Sequence, residues 1–220
     1  QDSSFAGNKT AQGNQDGNDI GDFYYTPPTG FLALCTKNLP DVAVTPSEHF
    51  DAILYTGTGS ENAITGVGFQ PDLTWIKNRD TTDWHRLQDA VRGATKELYS
   101  NANDDESTLA QSLKSFNTDG FTLGTLGEVN TSSENYASWN WKAGGGQGSS
   151  NTDGSINTTY TSVNTTAGFS ISTYTGNGTA GATVGHGLGV VPSMIIVKIR
   201  SGDHNNWGVY HKSIGATKAM

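Results

Sequence analysis

The chain has 220 residues, of which 28 are Gly and only 15% are charged, and Ser, Thr and Asn are also abundant. A composition so poor in helix-forming residues excludes an α-helical protein. The net charge of −8 argues against nucleic acid and membranes as partners, because binding phosphates or anionic lipids requires clustered Lys and Arg. No apolar run approaches the length needed to span a bilayer.

Short alternating segments bounded by Gly, Asn or Pro predict strands. The clearest candidates, in chain order, are 50–55, 73–77, 120–123, 137–141, 168–174, 193–199 and 207–211. Only 108–114 has helical spacing, because Leu109 and Leu113 stand four residues apart. Many short strands with frequent turns predict an all-β fold of β-sandwich or jelly-roll type.

Three blocks of the sequence recur in the same order with offsets of 119 to 122 residues. Residues 55–59 return as 174–178, 68–79 as 189–200, and 93–96 as 215–218. Since the order is kept and the offset hardly drifts, we expect two copies of one β-module. The second copy is apolar on both faces at 195–197, which predicts a central strand packed on two sides.

The repeat predicts how the chain is organised. We expect an N-terminal segment at 1–46, a complete β-module at 47–143, a linker rich in Gly, Ser, Thr and Asn at 144–164, and the N-terminal part of a second, truncated copy at 165–220. The composition of 144–155 is that of a flexible tether. The counterpart of 98–142 would lie beyond Met220, so we expect a piece of a longer polypeptide.

The sequence lacks the spaced motifs of several well-known catalytic centres. It contains no G-x-S-x-G, no H-E-x-x-H, no P-loop and no Cys/His zinc spacing. The repeat also argues against catalytic carboxylates, because Asp72 aligns with Ser193 and nothing acidic near Lys212 corresponds to Asp89. We therefore expect a non-enzymatic protein without a cofactor.

Each copy contains a strand that ends in Lys-x-Arg, at 77–79 and at 198–200. In each copy the segment after this strand combines a Trp with polar neighbours, as carbohydrate-binding surfaces do. These two segments supply the candidate glycan-binding residues Trp84, His85, Arg86, Asn205, Asn206 and Trp207. For Trp84 and Trp207 the alternative of a structural position stays open. Strand patterns predict that Trp75, Trp139 and Trp141 anchor the core.

An acidic loop near the N-terminus could bind a hard cation. Asp16, Asn18 and Asp22 are the candidate metal ligands, because oxygen-bearing side chains alternate with Gly there as calcium sites require. The alternative is an Asx-rich turn that hydrogen-bonds locally. The single cysteine, Cys35, excludes an intrachain disulfide, and its apolar flank predicts a buried, inert thiol.

The order of the motifs resembles that of a known family. Gly-Phe-Gln-Pro-Asp at 68–72, then 90–98, 116–124 and Trp-Asn-Trp-Lys at 139–142 together resemble a repeated module of unknown function in virion proteins of marine bacteriophages, cyanophages in particular. Residues 1–40 resemble the closing stretch of a SPRY-like, concanavalin-type sandwich that precedes such modules. Most of that sandwich would lie before Gln1.

The resemblance implies a structural protein of the virion, part of a fibre, a tail or a capsid-surface appendage on the extracellular particle. We expect a homo-oligomer that contacts other virion proteins, with host surface polysaccharide as a further partner. Serial modules suit such an appendage, because multiple copies give avidity. Two alternatives remain: a secreted or cell-surface lectin-like carbohydrate-binding module, and a glycan-degrading enzyme.

Overall fold

A computed structural model describes residues 10–39, 44–202 and 205–215. Contacts divide the chain into two compact units, Gln1–Ala43 and Val44–Met220, and each is described by itself. The fold is all-β, as predicted, with several antiparallel sheets. Within the described ranges, no helix is long and apolar enough to cross a membrane.

The described part of the second unit contains thirteen strands and one short α-helix, α1 (Gly127–Asn130). The strands are β1 (Phe50–Thr56), β2 (Asn62–Thr65), β3 (Leu73–Asn78), β4 (Arg86–Asp89), β5 (Lys96–Tyr99), β6 (Ser107–Thr108), β7 (Leu113–Asn117), β8 (Gly120–Leu123), β9 (Asn135–Trp141), β10 (Thr158–Asn164), β11 (Phe169–Tyr174), β12 (Met194–Val197) and β13 (Gly208–His211). Each strand expected from the sequence is present; β2, β4 to β7 and β10 were not expected.

Four antiparallel sheets are formed by these strands. The largest has the order β1-β9-β3-β4-β5-β6, and the others are β2-β8-β7, β10-β11 and β12-β13. β3 lies between β9 and β4 and is thus central in its sheet. The strand at 195–197, predicted to be central and packed on two sides, instead has side chains that are about half exposed among the described residues. Among the described residues, β12 pairs only with β13.

The core lies between the six-stranded and three-stranded sheets, which makes the first copy sandwich-like. Its buried residues come from both sheets and α1: Ile64, Ile76, Leu113, Phe121, Leu123, Val129 and Tyr136. Because side chains alternate along a strand, Ile76 points into this core and Trp75 lies on the opposite face. Trp75 instead packs against Trp139, at 5.5 Å between ring centroids. Trp141 packs against Phe50, with ring centroids 5.0 Å apart. The predicted role of Trp75, Trp139 and Trp141 as anchors of this core was therefore wrong.

The predicted helical stretch 108–114 is not a helix. It contains the end of β6, a turn and the start of β7, and Leu113 is fully buried in the sandwich. Burial of Leu113 from a strand decides its conformation, and its spacing from Leu109 is incidental.

The segment predicted as a flexible linker is ordered at both ends. At its start, the buried carboxylate of Asp72 accepts hydrogen bonds from the backbone N–H groups of Ala143, Gly145 and Gly146 at 2.6 to 2.8 Å. At its end, β10 pairs with β11. The predicted flexible linker is therefore wrong: it begins with a hydrogen-bonded turn and ends with strand β10. The turn is possible because Gly residues let the backbone approach a carboxylate closely. The division into modules remains a prediction.

The same strand pairing, in the same register, occurs in both copies. In the first copy Leu73 lies opposite Asp89 and Trp75 opposite Leu87. In the second copy the aligned residues form the same pairs, Met194 opposite His211 and Ile196 opposite Val209. Of the recurring block 215–218, only Gly215 falls within the described residues.

The first unit is described over residues 10–39. Asn14 and Phe23 form an antiparallel bridge, and a short 3-10 helix spans Thr36–Asn38. Cys35 is half-buried and its neighbour Leu34 is exposed, so the apolar flank does not bury the thiol as predicted. The resemblance of this region to a SPRY-like sandwich stays an expectation.

Candidate functional site

The candidate site lies at the end of the β4–β5 hairpin. Arg86 pairs with Tyr99 in the ladder, so residues just before β4 and at the end of β5 lie close together. There Trp84 meets Tyr99 edge-on, with ring centroids 4.7 Å apart. Tyr99 is buried, whereas 46% of Trp84 is exposed. The hairpin thus holds the Trp84 ring at the surface against a rigid support.

Trp207 reaches the same tyrosine from the second copy. Its indole Nε1–H donates to the carbonyl oxygens of Tyr99 at 2.9 Å and of Ala102 at 3.1 Å. The two tryptophans predicted from corresponding segments therefore both contact Tyr99. We call Trp84, Tyr99 and Trp207 the Tyr99 cluster.

Arg86 does not belong to a glycan-binding surface. It is 2% exposed and forms ion pairs with Glu97 and Glu128. Its guanidinium carbon lies 5.2 Å from the centroid of the Tyr99 ring. Burial lowers the pKa of Arg86 and outweighs the nearby Tyr99 and Asp83, which raise it. The expectation that Arg86 contacts a glycan is corrected to a structural role beneath the cluster.

The other expected glycan-binding residues divide between the two copies. His85 is half-buried, its backbone N–H donates to Asn101 Oδ1 at 2.9 Å, and burial together with the charge of Lys77 lowers its pKa. Asn205 and Asn206 are exposed and precede Trp207 in the chain. Polar amides from both copies therefore accompany the two tryptophans.

Residues 198–202 and Trp207 of the second copy bind residues 99–106 of the first. We call these parts of the chain the docking segments. Besides the Trp207 contacts, Lys198 Nζ donates to the carbonyl of Asn103 at 3.1 Å. Arg200 donates from Nε and Nη2 to the two carboxylate oxygens of Glu106, both at 2.8 Å, and the Glu106 N–H donates to the Arg200 carbonyl at 2.9 Å. The docking segments thus combine backbone, charged and aromatic contacts.

Electrostatics stabilise the ionised form of Glu106. Burial raises its pKa, but the hydrogen bonds and charges of Arg200 and Arg92 outweigh burial and lower the pKa from its ordinary value of 4.5. The hydrogen bond to Glu106 raises the pKa of Arg200 in turn. Arg92 also binds Asp89, which joins the docking segment to the end of β4.

Sequence reasoning missed Tyr99 and Glu106. The signal that could have indicated the docking contacts was the recurrence of Lys77 and Arg79 as Lys198 and Arg200. A role of these residues in the fold of each copy would produce the same recurrence. In the second copy both residues bind the first copy instead. Which residue they would meet cannot be read from the chain, because 106 and 200 are far apart in sequence.

The acidic loop of the first unit uses its oxygens for local hydrogen bonds. Asp16 is buried, and its carboxylate accepts from the backbone N–H groups of Asn18, Ile20 and Ala33 and from the side chain of Asn38. These donors, the Ala33 N–H foremost, outweigh burial and lower the pKa of Asp16 to about 2.

The other two candidate ligands are also engaged. Asp22 accepts from the Gly13 N–H at 2.7 Å, and Asn18 donates to Asn38. In the part of the chain that the structure describes, no three His, Cys, Asp or Glu side chains form a metal-binding group. The arrangement is that of an Asx turn, and it accounts for the acidic residues without a metal ion.

Comparison with known proteins gives one match. A family model described as a domain of unknown function, DUF7483, matches residues 45–220. The match begins two residues before the predicted first module and covers both copies and the segment between them. No curated protein and no solved structure matches the chain.

Proposed function

The chain belongs to the DUF7483 family, and we propose that it is a non-enzymatic structural protein of a bacteriophage virion, part of a fibre, tail or capsid-surface appendage. The observation that carries this proposal is the docking of the second copy on the first through the docking segments. A copy that binds its predecessor in this way can be added repeatedly, which extends an appendage by one unit each time.

The buried carboxylate of Glu97 supports a structural role. Glu97 is fully buried and accepts hydrogen bonds from Gln88, Ser112 and Tyr99 at 2.9 to 3.0 Å, in addition to its ion pair with Arg86. Four partners fix the position of this carboxylate. Such a group stabilises the fold.

We further propose that Trp84 binds host surface glycans. Its half-exposed ring rests edge-on against the buried Tyr99, so it is presented to solvent with little freedom to move. Asn101 accepts a hydrogen bond from the backbone of His85, next to Trp84, and Asn205 and Asn206 are exposed just before Trp207. A fixed aromatic ring with exposed amides in the same region suits a sugar, which offers an apolar face and surrounding hydroxyl groups. The net charge of −8 favours neutral over anionic polysaccharides.

The structural proposal is tested by peptide mass spectrometry of purified particles. We expect peptides from 44–202 in intact particles banded on a density gradient, in fixed ratio to the major capsid protein. A chain found only in the soluble fraction of infected cells would contradict the proposal.

The glycan proposal is tested by binding of the chain to polysaccharide isolated from the host surface. We expect Trp84→Ala to weaken binding by about tenfold or more, and Tyr174→Ala, which removes an exposed aromatic ring from β11, to leave it unchanged. Equal binding by both variants would contradict a role for Trp84. Release of sugar fragments would contradict a non-enzymatic protein.

The Tyr99 cluster also favours a second function, a lectin-like carbohydrate-binding module outside a virion. The two functions share the same aromatic surface and differ in where the chain is found. Trp84-dependent glycan binding by a chain absent from particles would support this alternative.

A further inference from the structure

Asn177 precedes Gly178 in the exposed segment that follows β11. Of the 18 Asn residues in the chain, only this one is followed by a Gly. Both residues are exposed, as is every other residue of 174–180. An Asn side-chain amide is attacked most readily by the next backbone nitrogen when the next residue is Gly, because Gly has no Cβ to obstruct the approach.

A hydrogen bond of this segment activates the Asn177 amide. The backbone N–H of Thr179 donates to Asn177 Oδ1 at 2.9 Å. When a nucleophile adds to the amide carbon Cγ, negative charge develops on this oxygen, and a donor already in place stabilises the charge as the donors of an oxyanion hole do. The segment therefore both exposes the amide and lowers the barrier to attack on it.

The first copy has the same local hydrogen bond without the reactive amide. Residues 55–59 align with 174–178, so Thr58 stands where Asn177 does. The Ser60 N–H donates to Thr58 Oγ1 at 3.3 Å, which is again a contact between residues two apart. Thr58 is exposed as well. Exposure therefore belongs to this position of the module, and the local structure forms without an Asn.

We propose that Asn177 is a site of spontaneous deamidation. The Gly178 backbone nitrogen bonds to Asn177 Cγ, the Cγ–Nδ2 bond breaks, and ammonia leaves with the proton of the Gly178 N–H. The product is a cyclic imide, which water opens at either of its two carbonyls to give aspartate or isoaspartate. No enzyme is needed, because the chain itself holds the nucleophile beside the amide.

The modification changes the second copy alone. It adds one negative charge to a chain whose net charge is −8. Aspartate at 177 offers an oxygen to the same Thr179 N–H, whereas isoaspartate lengthens the main chain by one carbon between β11 and the residues that follow. The two copies therefore diverge as the protein ages. This inference goes beyond the proposed function and does not depend on it.

Peptide mass spectrometry of the whole chain, incubated at mildly alkaline pH, tests the site. Deamidation raises the mass of a peptide by about 1 Da. Asn101 and Asn157 are the internal controls, because both are exposed and are followed by Ala and Thr. We expect the Asn177 peptide to gain this mass at least about tenfold faster than the peptides of the two controls. Equal rates at the three positions would overturn the proposal.

Two variants test the activating hydrogen bond. Thr179→Pro removes the N–H that donates to Asn177 Oδ1, and we expect deamidation to slow about three- to tenfold. Thr179→Ala keeps the N–H and should react like the unmodified chain. A synthetic peptide of residues 173–181 shows the rate without the fold. The folded chain should react at least as fast as this peptide. Slower reaction in the folded chain, or equal rates in the two variants, would overturn the proposal.

Asn177→Thr, which introduces the residue of the first copy, tests where the charge arises. Isoelectric focusing of the stored, unmodified chain should show a more acidic band that grows with time, and Asn177→Thr should not acquire it. The same band growing at the same rate in Asn177→Thr would place the modification at another residue and overturn the proposal.

Discussion

Trp207 donates its indole N–H to the backbone carbonyl of Tyr99 at 2.9 Å, across 108 residues of sequence. This contact fixes the second copy of the module to the end of the β4–β5 hairpin of the first. The same tyrosine supports the exposed ring of Trp84. Docking and the candidate glycan surface therefore share Tyr99, but docking uses Trp207 and the surface uses Trp84. Substitutions of the two tryptophans should therefore separate the two effects.

Replacing Trp207 by Phe removes the N–H and keeps an aromatic ring. Because the carbonyls of Tyr99 and Ala102 lose this donor, we expect a loss of about 1–2 kcal/mol in the free energy of unfolding. Urea denaturation measures it. Trp84→Phe is the matched control, and its loss should be smaller because the Trp84 contact is between rings. Equal losses would argue against the hydrogen bonds as the source of docking stability.

The ion pair of Glu106 with Arg200 should make docking depend on pH. The folded-state pKa of Glu106 lies below its ordinary value of 4.5, so the stabilisation is fully present above pH 4.5 and is lost as the pH falls through the folded-state value. At neutral pH, Glu106→Gln should cost about 1–2 kcal/mol.

Unfolding curves of the unmodified chain and Glu106→Gln, recorded from pH 7 down to pH 3, test the sign of this effect. The two stabilities should converge on acidification, because protonated Glu106 and Gln are both neutral. A gap that stays constant with pH would contradict the role of the charge.

Asp72 should control the order of the Gly-rich turn. Its carboxylate accepts three backbone N–H groups from 143–146, and Asn offers one acceptor oxygen and an N–H₂ group in their place. We expect Asp72→Asn to cost about 2–3 kcal/mol and to speed hydrogen exchange at 143–148. Asp153→Asn, at an exposed position in the same segment, is the control and should change neither. Unchanged exchange in Asp72→Asn would show that the turn is ordered by other contacts.

Replacing Arg86 tests whether this residue stabilises the fold or binds a glycan. Arg86→Ala leaves the buried carboxylate of Glu97 without its cation, and we expect a loss of about 3–5 kcal/mol in unfolding free energy. Lys114→Ala removes the exposed partner of Glu61 and should cost about 1 kcal/mol or less. A stable Arg86→Ala variant that has lost only glycan binding would reverse the assignment of Arg86 to the fold.

The sequence predicted those elements whose signal is local. Strands β1, β3, β8 and β9 followed from alternation, and the repeat between 68–79 and 189–200 appeared as one ladder register in both copies. Short strands such as β5 and β6 were missed, because Lys96–Tyr99 carries two charged residues and reads as polar. Glu97 is buried there only because Arg86, Gln88 and Ser112 satisfy it from distant positions.

The candidate site could be predicted only in part, because only some of its residues have a local sequence signal. The pairing of Trp with polar neighbours singled out Trp84 and Trp207, and both do meet at one place. Tyr99, which brings them together, has no local signature. Arg86, two residues after Trp84, was predicted to be a polar neighbour on the surface. It pairs with Tyr99 in the ladder and is buried, where Glu97 and Glu128 bind it.

Electron microscopy of purified particles decorated with a Fab against residues 44–220 tests the proposed place in a virion most directly. The proposal predicts Fab density at regular intervals on a fibre, tail or capsid-surface appendage of intact particles. Particles that remain undecorated, while the same Fab binds the chain free in the lysate, would contradict it.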